Sequence, residues 1–175
     1  NLPSYIFDSI YQTLLVSPNT KIYVILNDSL INQFRNTIST FNLNLYLNKP
    51  MNIVMHIECI PISILKIPQE YTKFIDNLPD STKQFRNAFW ISTTARFFYI
   101  ESLMELFKLN NVYHIENDVM IYENLQDIPV DKNKLYMVKD SHDRVIPSIL
   151  FIPDCSHLNR LNVHMLRKLT DSQNL

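Results

Sequence analysis

The chain of 175 residues contains no glycine. Soluble domains average about 7% glycine, and three turns that present phosphate or a nucleophile depend on it: the Walker P-loop, the dinucleotide turn G-x-G-x-x-G and the elbow G-x-S-x-G. All three are excluded as written, so any phosphate must be held by a metal, by side chains or by a helix end. Left-handed backbone positions are expected to fall to Asn and Asp, the next most tolerant residues. Cysteine is scarce as well. Cys59 and Cys155 stand far apart in apolar, strand-like stretches and read as buried free thiols, while the five histidines show none of the Cys/His pair spacings of a zinc site. There is no basic excess: 16 Lys and Arg against 17 Asp and Glu leave a formal charge of −1, so nothing draws the chain to nucleic acid or to an anionic membrane surface. Long apolar runs are missing too, since each breaks after about ten residues, well below the roughly 20 that a membrane-spanning helix needs. The opening Asn1-Leu-Pro-Ser-Tyr5 has neither an initiator Met nor a basic n-region, and it reads as a fragment boundary rather than a targeting signal. The expectation is a soluble protein, with the cytoplasm favoured.

What is present suffices for one core. With 46% hydrophobic residues the whole of 1–175 reads as a single globular domain. Ile6, Ile10, Leu14 and Leu15 recur at helical spacing over Ser4 to Val16, and a strand Lys21 to Leu26 follows. Asp28 or Ser29 can cap a helix carrying Leu30, Ile31, Phe34 and Ile38 as far as Phe41. Asn52 to Ile62 is β-branched and reads as a strand. Residues 63 to 84, punctuated by Pro68 and Pro79, read as a loop with one helical turn. Phe85 to Leu109 is the strongest helix, with Asn110 as a left-handed cap. Lys134 to Val138 and Val145 to Ile152 read as strands, and His157 to Leu169 as a final amphipathic helix. Helices alternating with strands imply an α/β fold with a mostly parallel sheet between helical layers, in which ligands lie at the carboxyl ends of the strands. There Asn27 and the stretch Glu116 to Asp118 are expected to meet.

That stretch carries the chemistry. In Asn111-Val-Tyr-His-Ile-Glu-Asn-Asp-Val-Met-Ile-Tyr122 an apolar run is interrupted by two acids, two residues apart. On a strand such a pair projects to one side and, at the strand's end, can converge on one ion. Carboxylate oxygens suit Mg²⁺ or Mn²⁺, which keep open positions for substrate phosphate. The bland reading of any E-x-D is a solvated strand terminus. His114 alternates with the apolar face and reads as a satisfied core histidine. Helical spacing places Trp90, Phe97 and Phe98 in the core rather than on a stacking platform.

Phe89-Trp-Ile-Ser-Thr-Thr-Ala-Arg-Phe-Phe-Tyr99, then helix, then the Glu-Asn-Asp strand, resembles the centre of a GT-A nucleotide-sugar glycosyltransferase of the glycogenin and lipopolysaccharide galactosyltransferase group. In that superfamily a helix with a basic residue precedes an apolar strand ending in Asp-x-Asp. The resemblance implies a three-layer α/β/α sandwich, truncated here at both ends to its donor-binding part. It implies that Arg96 contacts the nucleotide-sugar, that Glu116 contacts the ribose or the metal and Asp118 the metal and diphosphate, with Asn117 between them on the donor side, and that Ser148 touches the sugar. Leu2 to Ile10 with Lys21 to Asp28 is similar to the helix and strand after the family's first strand, which adds Asn27 to the donor side. Asp171-Ser-Gln-Asn-Leu175 resembles the start of the late acidic motif that faces the acceptor, which makes Asp171 the favoured base over Asp140 and Asp143. Glu116 stands where the family has Asp, and Pro147 and Ile149 stand where it has Asn and Gly.

The activity so implied is transfer of a sugar from a UDP- or GDP-sugar donor to a glycan, protein or lipid acceptor, with Mn²⁺ or Mg²⁺ offsetting charge on the departing diphosphate. Two other readings remain open at this point: a catalytically inactive GT-A-like carbohydrate-binding or scaffold module, and an unrelated nucleotide-binding sheet protein.

Overall fold

A computed structural model describes residues 2–40, 55–86 and 88–171. Residues 52–54 of the expected second strand, Phe41 at the end of the second helix and residues 172–175 of the late motif lie outside the described residues. The chain divides into two compact units, Asn1–Ile64 with Ile115–Val130, and Leu65–His114 with Asp131–Leu175.

In the first unit, α1 (Tyr5–Val16) lines up Ile6, Ile10 and Leu14 on one face. This stripe packs on Val24 and Leu26 of β1 (Ile22–Leu26) and on Ile31, Phe34 and Ile38 of α2 (Ile31–Thr40). Leu14 and Phe34 are fully buried, a transfer of about 2 kcal/mol each out of water. Phe7 stacks on Phe34 at 5.3 Å. β1 pairs in parallel with β2 (Ile57–Pro61), from Ile22 opposite Ile57 to Leu26 opposite Pro61. A proline closes the ladder there because it has no N–H to donate. The irregular segment 115–130 is fastened to α1 by buried hydroxyls. Ser9 donates to the Val119 carbonyl (2.6 Å), and Ser17 donates to Asn124 Oδ1 (3.2 Å) while accepting from the Leu125 N–H (2.8 Å). Ile121 and Leu125 bury beside these bonds.

The second unit holds α3 (Gln69–Asp76), α4 (Asp80–Gln84), α5 (Phe89–Phe107), β3 (Val112–Ile115, whose last residue belongs to the first unit), β4 (Tyr136–Lys139), β5 (Val145–Ile152) and α6 (Cys155–Asp171). One of its clusters joins Tyr71, Ala95 and Phe98 to Phe74, Met165, Leu166 and Leu169. The Tyr71 hydroxyl donates to the Ile91 carbonyl at 2.9 Å and meets the Thr94 hydroxyl, so this buried aromatic keeps a polar partner. α3 and α4 replace the expected loop. Pro68 and Pro79 sit just ahead of them with φ of −59° and −57°, so prolines that read as breakers act as starts, where a fixed φ and a missing N–H cost nothing.

The second sheet runs β3-β5-β4, with β4 and β5 antiparallel. The register slips between Met137, opposite Leu150, and Val138, opposite Ile146, which leaves Pro147, Ser148 and Ile149 in the intervening stretch of β5. The donor missing at Pro147 explains why the ladder breaks there. The fold is therefore α/β, as expected. Its sheets differ from the expected single, mostly parallel one: among the described residues, parallel pairing is confined to β1 and β2, and the three-stranded sheet contains an antiparallel pair. Apolar runs mark strands but carry no information about strand direction. Among the described residues, no helix is long and apolar enough to cross a membrane.

The expectation that left-handed positions fall to Asn and Asp is also corrected. Positive φ occurs at Arg86 (45°), Ala88 (62°), Lys108 (53°) and Asn111 (55°). At Lys108 the Leu109 N–H returns to the Met104 carbonyl at 2.9 Å. That closure of α5 offsets the roughly 1–2 kcal/mol that a side chain costs in this conformation.

Asp154 caps α6. Its Oδ1 accepts from the Ser156 hydroxyl (2.6 Å), the His157 N–H (3.1 Å) and His157 Nδ1 (3.0 Å). These bonds, that from Ser156 foremost, hold the carboxyl well below the usual carboxylate range. Asp154→Ala is expected to cost about 1 kcal/mol, read as a lower urea midpoint at neutral pH. A depressed carboxyl stabilises the fold above its unfolded pKa and stops doing so as pH falls through the folded one. The gap between parent and variant should therefore close toward acid, and a gap that widens there would exclude this role.

Candidate functional site

β3 supplies the expected apolar lead-in, Val112-Tyr-His-Ile115, but it stops before the acids. The acids are expected where the strand emerges, and they do follow it directly: a four-residue strand ends at Ile115 and a turn takes its place over the acids. The Val119 N–H bonds to the Glu116 carbonyl at 3.1 Å, with Asn117 and Asp118 exposed at the tip and Glu116 half-buried at the base. Asn and Asp favour turns because their short side chains compete with strand hydrogen bonding. The same-side placement derived from the two-residue period of a strand therefore does not apply. A turn presents these acids instead.

Asn27 is exposed directly after β1, and its carbonyl accepts from the Leu30 N–H at 2.9 Å to open a 3-10 turn at Asp28–Leu30. Asp28 does not cap this turn. Its carboxylate accepts from the Ser63 N–H (3.2 Å) and from the Ser63 hydroxyl, which ties together the carboxyl ends of the two parallel strands. The Ser63 hydroxyl holds the Asp28 carboxyl below the usual range. Asn27, Glu116, Asn117 and Asp118 all belong to the first unit, whereas Arg96, Ser148 and Asp171 belong to the second.

In the second unit, Arg96 is half-buried on α5 with its guanidinium 5.2 Å from the centre of the Phe97 ring. It acts on His114, whose pKa is pushed down to about 4 by burial first and by the Arg96 charge second. The imidazole meets Phe97 edge-on at 6.5 Å. Its Nε2 is buried without a hydrogen-bond partner among the described residues, so His114 is an interior histidine, though not the satisfied one expected. Phe97 and Phe98 are core residues as expected, but Trp90 is 58% exposed in edge contact with Phe89 at 5.1 Å. The apolar residues of α5 are spread around the helix instead of gathering on one face, and spacing alone does not tell which part of such a helix is covered. Ser148 is half-buried in the break of β5, and Asp171 is the exposed last residue of α6. The other base candidates are tied up locally: Asp140 pairs with Arg144, and Asp143 accepts from the Ser141 hydroxyl.

A second set of residues went unrecognised in the sequence. Glu101, Glu105 and Cys155 bring one ligand-capable atom each within 4.8 Å of one another. Glu101 is held by Asn159 Nδ2 (2.6 Å) and Asn162 Nδ2 (2.5 Å). Glu101, Glu105 and Asn162 also line a cavity of about 230 Å³. The available signal was two acids one turn apart in the apolar second half of the helix, a like-charged pair that is unfavourable without compensation. Both thiols are free and half-buried. Burial, then Glu105, Glu101 and Asp154, push the Cys155 thiol up to about 11.

Comparison with family models, with curated proteins and with solved structures gives no match for this chain.

Proposed function

We propose that residues 1–175 are the donor-binding domain of a GT-A-type glycosyltransferase, which moves a sugar from a UDP- or GDP-sugar to a glycan, protein or lipid acceptor and depends on Mn²⁺ or Mg²⁺. The observation that carries this reading is the apolar strand β3 running directly into an exposed Glu-Asn-Asp turn. The turn lies in the unit that also contains a parallel strand pair with Asn27 at a carboxyl end, where α/β folds bind ligands.

The donor set fits the metal. Glu116 and Asp118 offer hard carboxylate oxygens on an accessible turn, and two such ligands leave the other positions to water and phosphate oxygens. When bound, the ion neutralises charge building on the leaving diphosphate. The protein's own groups do the rest. Arg96 keeps its charge at any working pH and can grip phosphate oxygens in two places. The depressed pKa of His114 keeps the neighbouring imidazole neutral, so it adds no positive charge beside the guanidinium. Asn27, in the same unit as the turn, can offer a hydrogen bond to the donor, and the roles of Ser148 at the sugar and of Asp171 as the base that takes the acceptor's proton rest on the family resemblance alone.

The test is thermal unfolding of the protein with Mn²⁺ and a panel of UDP- and GDP-sugars. A donor at about 100 times its Kd stabilises a two-state fold by about 2.7 kcal/mol, and a flat response across the whole panel would remove the proposal. Arg96→Ala should weaken donor binding by about 1–3 kcal/mol, the worth of a hydrogen bond to a charged group. Unchanged affinity would return Arg96 to a purely structural role. The inactive carbohydrate-binding module gains support from the exposed Trp90 and Phe89 pair. It is distinguished by binding glycan without any nucleotide-sugar response.

A further inference from the structure

We propose that the junction of α4 and α5 is a docking surface for an anionic lipid bilayer, with Phe85 and Trp90 entering the headgroup region and Lys83 and Arg86 meeting lipid phosphates. Phe85, which closes α4, is 47% exposed, and Phe89 and Trp90 in the first turn of α5 are 40% and 58% exposed. These residues form one cluster. The Phe89 N–H bonds to the Phe85 carbonyl at 3.2 Å, the Phe89 and Trp90 rings meet edge-on at 5.1 Å, and the Arg86 guanidinium lies 5.3 Å from the centre of the Phe89 ring. Further along the same helix Ala95, Phe97 and Phe98 are buried, so aromatic character serves the core there and faces solvent here. Arg86 and Ala88 both hold left-handed backbone, with φ of 45° and 62°, which is unfavourable for residues that carry a Cβ. Strain of this kind collects where function demands a shape, and here it lies between exposed rings.

Charge decides the occupant. From Ser81 to Ile100 the chain carries Lys83, Arg86 and Arg96 and no acid, and the acid before that stretch, Asp80, stands at the far end of α4. Lys83 Nζ donates to the Asp76 carbonyl at 2.8 Å, a neutral partner that leaves its charge in place. The formal charge of −1 sums over the whole chain and hides this local excess. Aromatic side chains favour the boundary between acyl chains and water, and cations beside them add attraction to acidic headgroups. A glycan suits the surface less well. Sugar rings stack on a flat, uncovered aromatic face, whereas the Arg86 guanidinium lies over Phe89 and Trp90 meets that ring at 75°.

Trp90 is the sole tryptophan, so its emission reads the surface directly. Adding vesicles of phosphatidylserine and phosphatidylcholine in equal parts to the purified chain should shift that emission to the blue and shield it from acrylamide, and the protein should sediment with the vesicles. Phosphatidylcholine alone, or high salt, should weaken binding by about fivefold for each cation engaged. Phe85 and Arg86 are exposed, so variants there fold as the parent does. Arg86→Gln should lower partition onto the mixed vesicles about fivefold, and Phe85→Ala about tenfold. Asp118→Ala should bind vesicles as the parent does, which separates this surface from the site proposed for the donor. Unchanged emission with the mixed vesicles, equal binding to phosphatidylcholine alone, parent-like partition of Arg86→Gln, or the same blue shift from a neutral oligosaccharide without vesicles would each overturn the assignment.

Discussion

Between pH 6.5 and about 4 the folded protein is expected to lose about 3 kcal/mol of stability through His114 alone. The unfolded imidazole takes up its proton near 6.5, whereas the folded one, buried and facing the Arg96 charge, resists it until about 4. A depressed folded pKa means that the contribution is complete above 6.5 and disappears as pH falls through the folded value. Below that the slope from this residue ends, because both states are protonated. Urea midpoints of the parent at pH 7 and pH 4.5 should differ accordingly, and His114→Gln, which does not titrate, should remove most of the difference. Arg96→Ala should flatten the dependence in part, since its charge is the second cause and burial the first. Equal slopes for parent and His114→Gln would show that the imidazole protonates freely in the native state.

Elements whose apolar residues repeat at a clean period were legible: α1 from Ile6, Ile10 and Leu14, the β1 run, the α2 stripe of Ile31, Phe34 and Ile38, β5, and the amphipathic α6. What periodicity does not encode was lost. Pro68 and Pro79 look the same whether they end one element or begin the next, so the sequence of α3 and α4 reads as loop. Strand direction leaves no trace in an apolar run, and hence the pattern puts β4 and β5 in a mostly parallel sheet although they pair antiparallel. The acidic pair is visible in composition, but its local geometry is not. Asn117 and Asp118 follow an apolar stretch closely enough to look like its continuation, yet their turn preference ends β3 at Ile115. Left-handed backbone at Lys108 is set by the hydrogen bond that closes α5, not by residue type. The Glu101, Glu105 and Cys155 group required α5 and α6 to be brought together across 50 residues of chain, a long-range fact that spacing along one helix only half discloses.

Asp118→Ala is expected to abolish donor-dependent stabilisation while leaving the unliganded protein as stable as the parent. Asp118 is exposed at the tip of the Glu116–Val119 turn, and substitutions at such surface positions usually stay within about 0.5 kcal/mol. The stability of the fold and the loss of ligand response can therefore be read separately in the same thermal scans. With Mn²⁺ and a sugar nucleotide at about 100 times the parent's Kd, the parent should gain about 2.7 kcal/mol and the variant nothing. Glu116 gives a second, graded reading. Glu116→Asp keeps the charge and shortens the arm, so it should retain the response, whereas Glu116→Ala should lose it. This ordering matters because a turn that merely solvates two acids predicts three indistinguishable proteins. It matters also because a phosphate site built on Arg96 alone predicts that donor binding survives in all three without Mn²⁺. If Asp118→Ala binds donor as the parent does, the metal is held elsewhere or is not used. The Glu-Asn-Asp turn is then an ordinary strand ending, and the glycosyltransferase assignment loses the observation on which it stands.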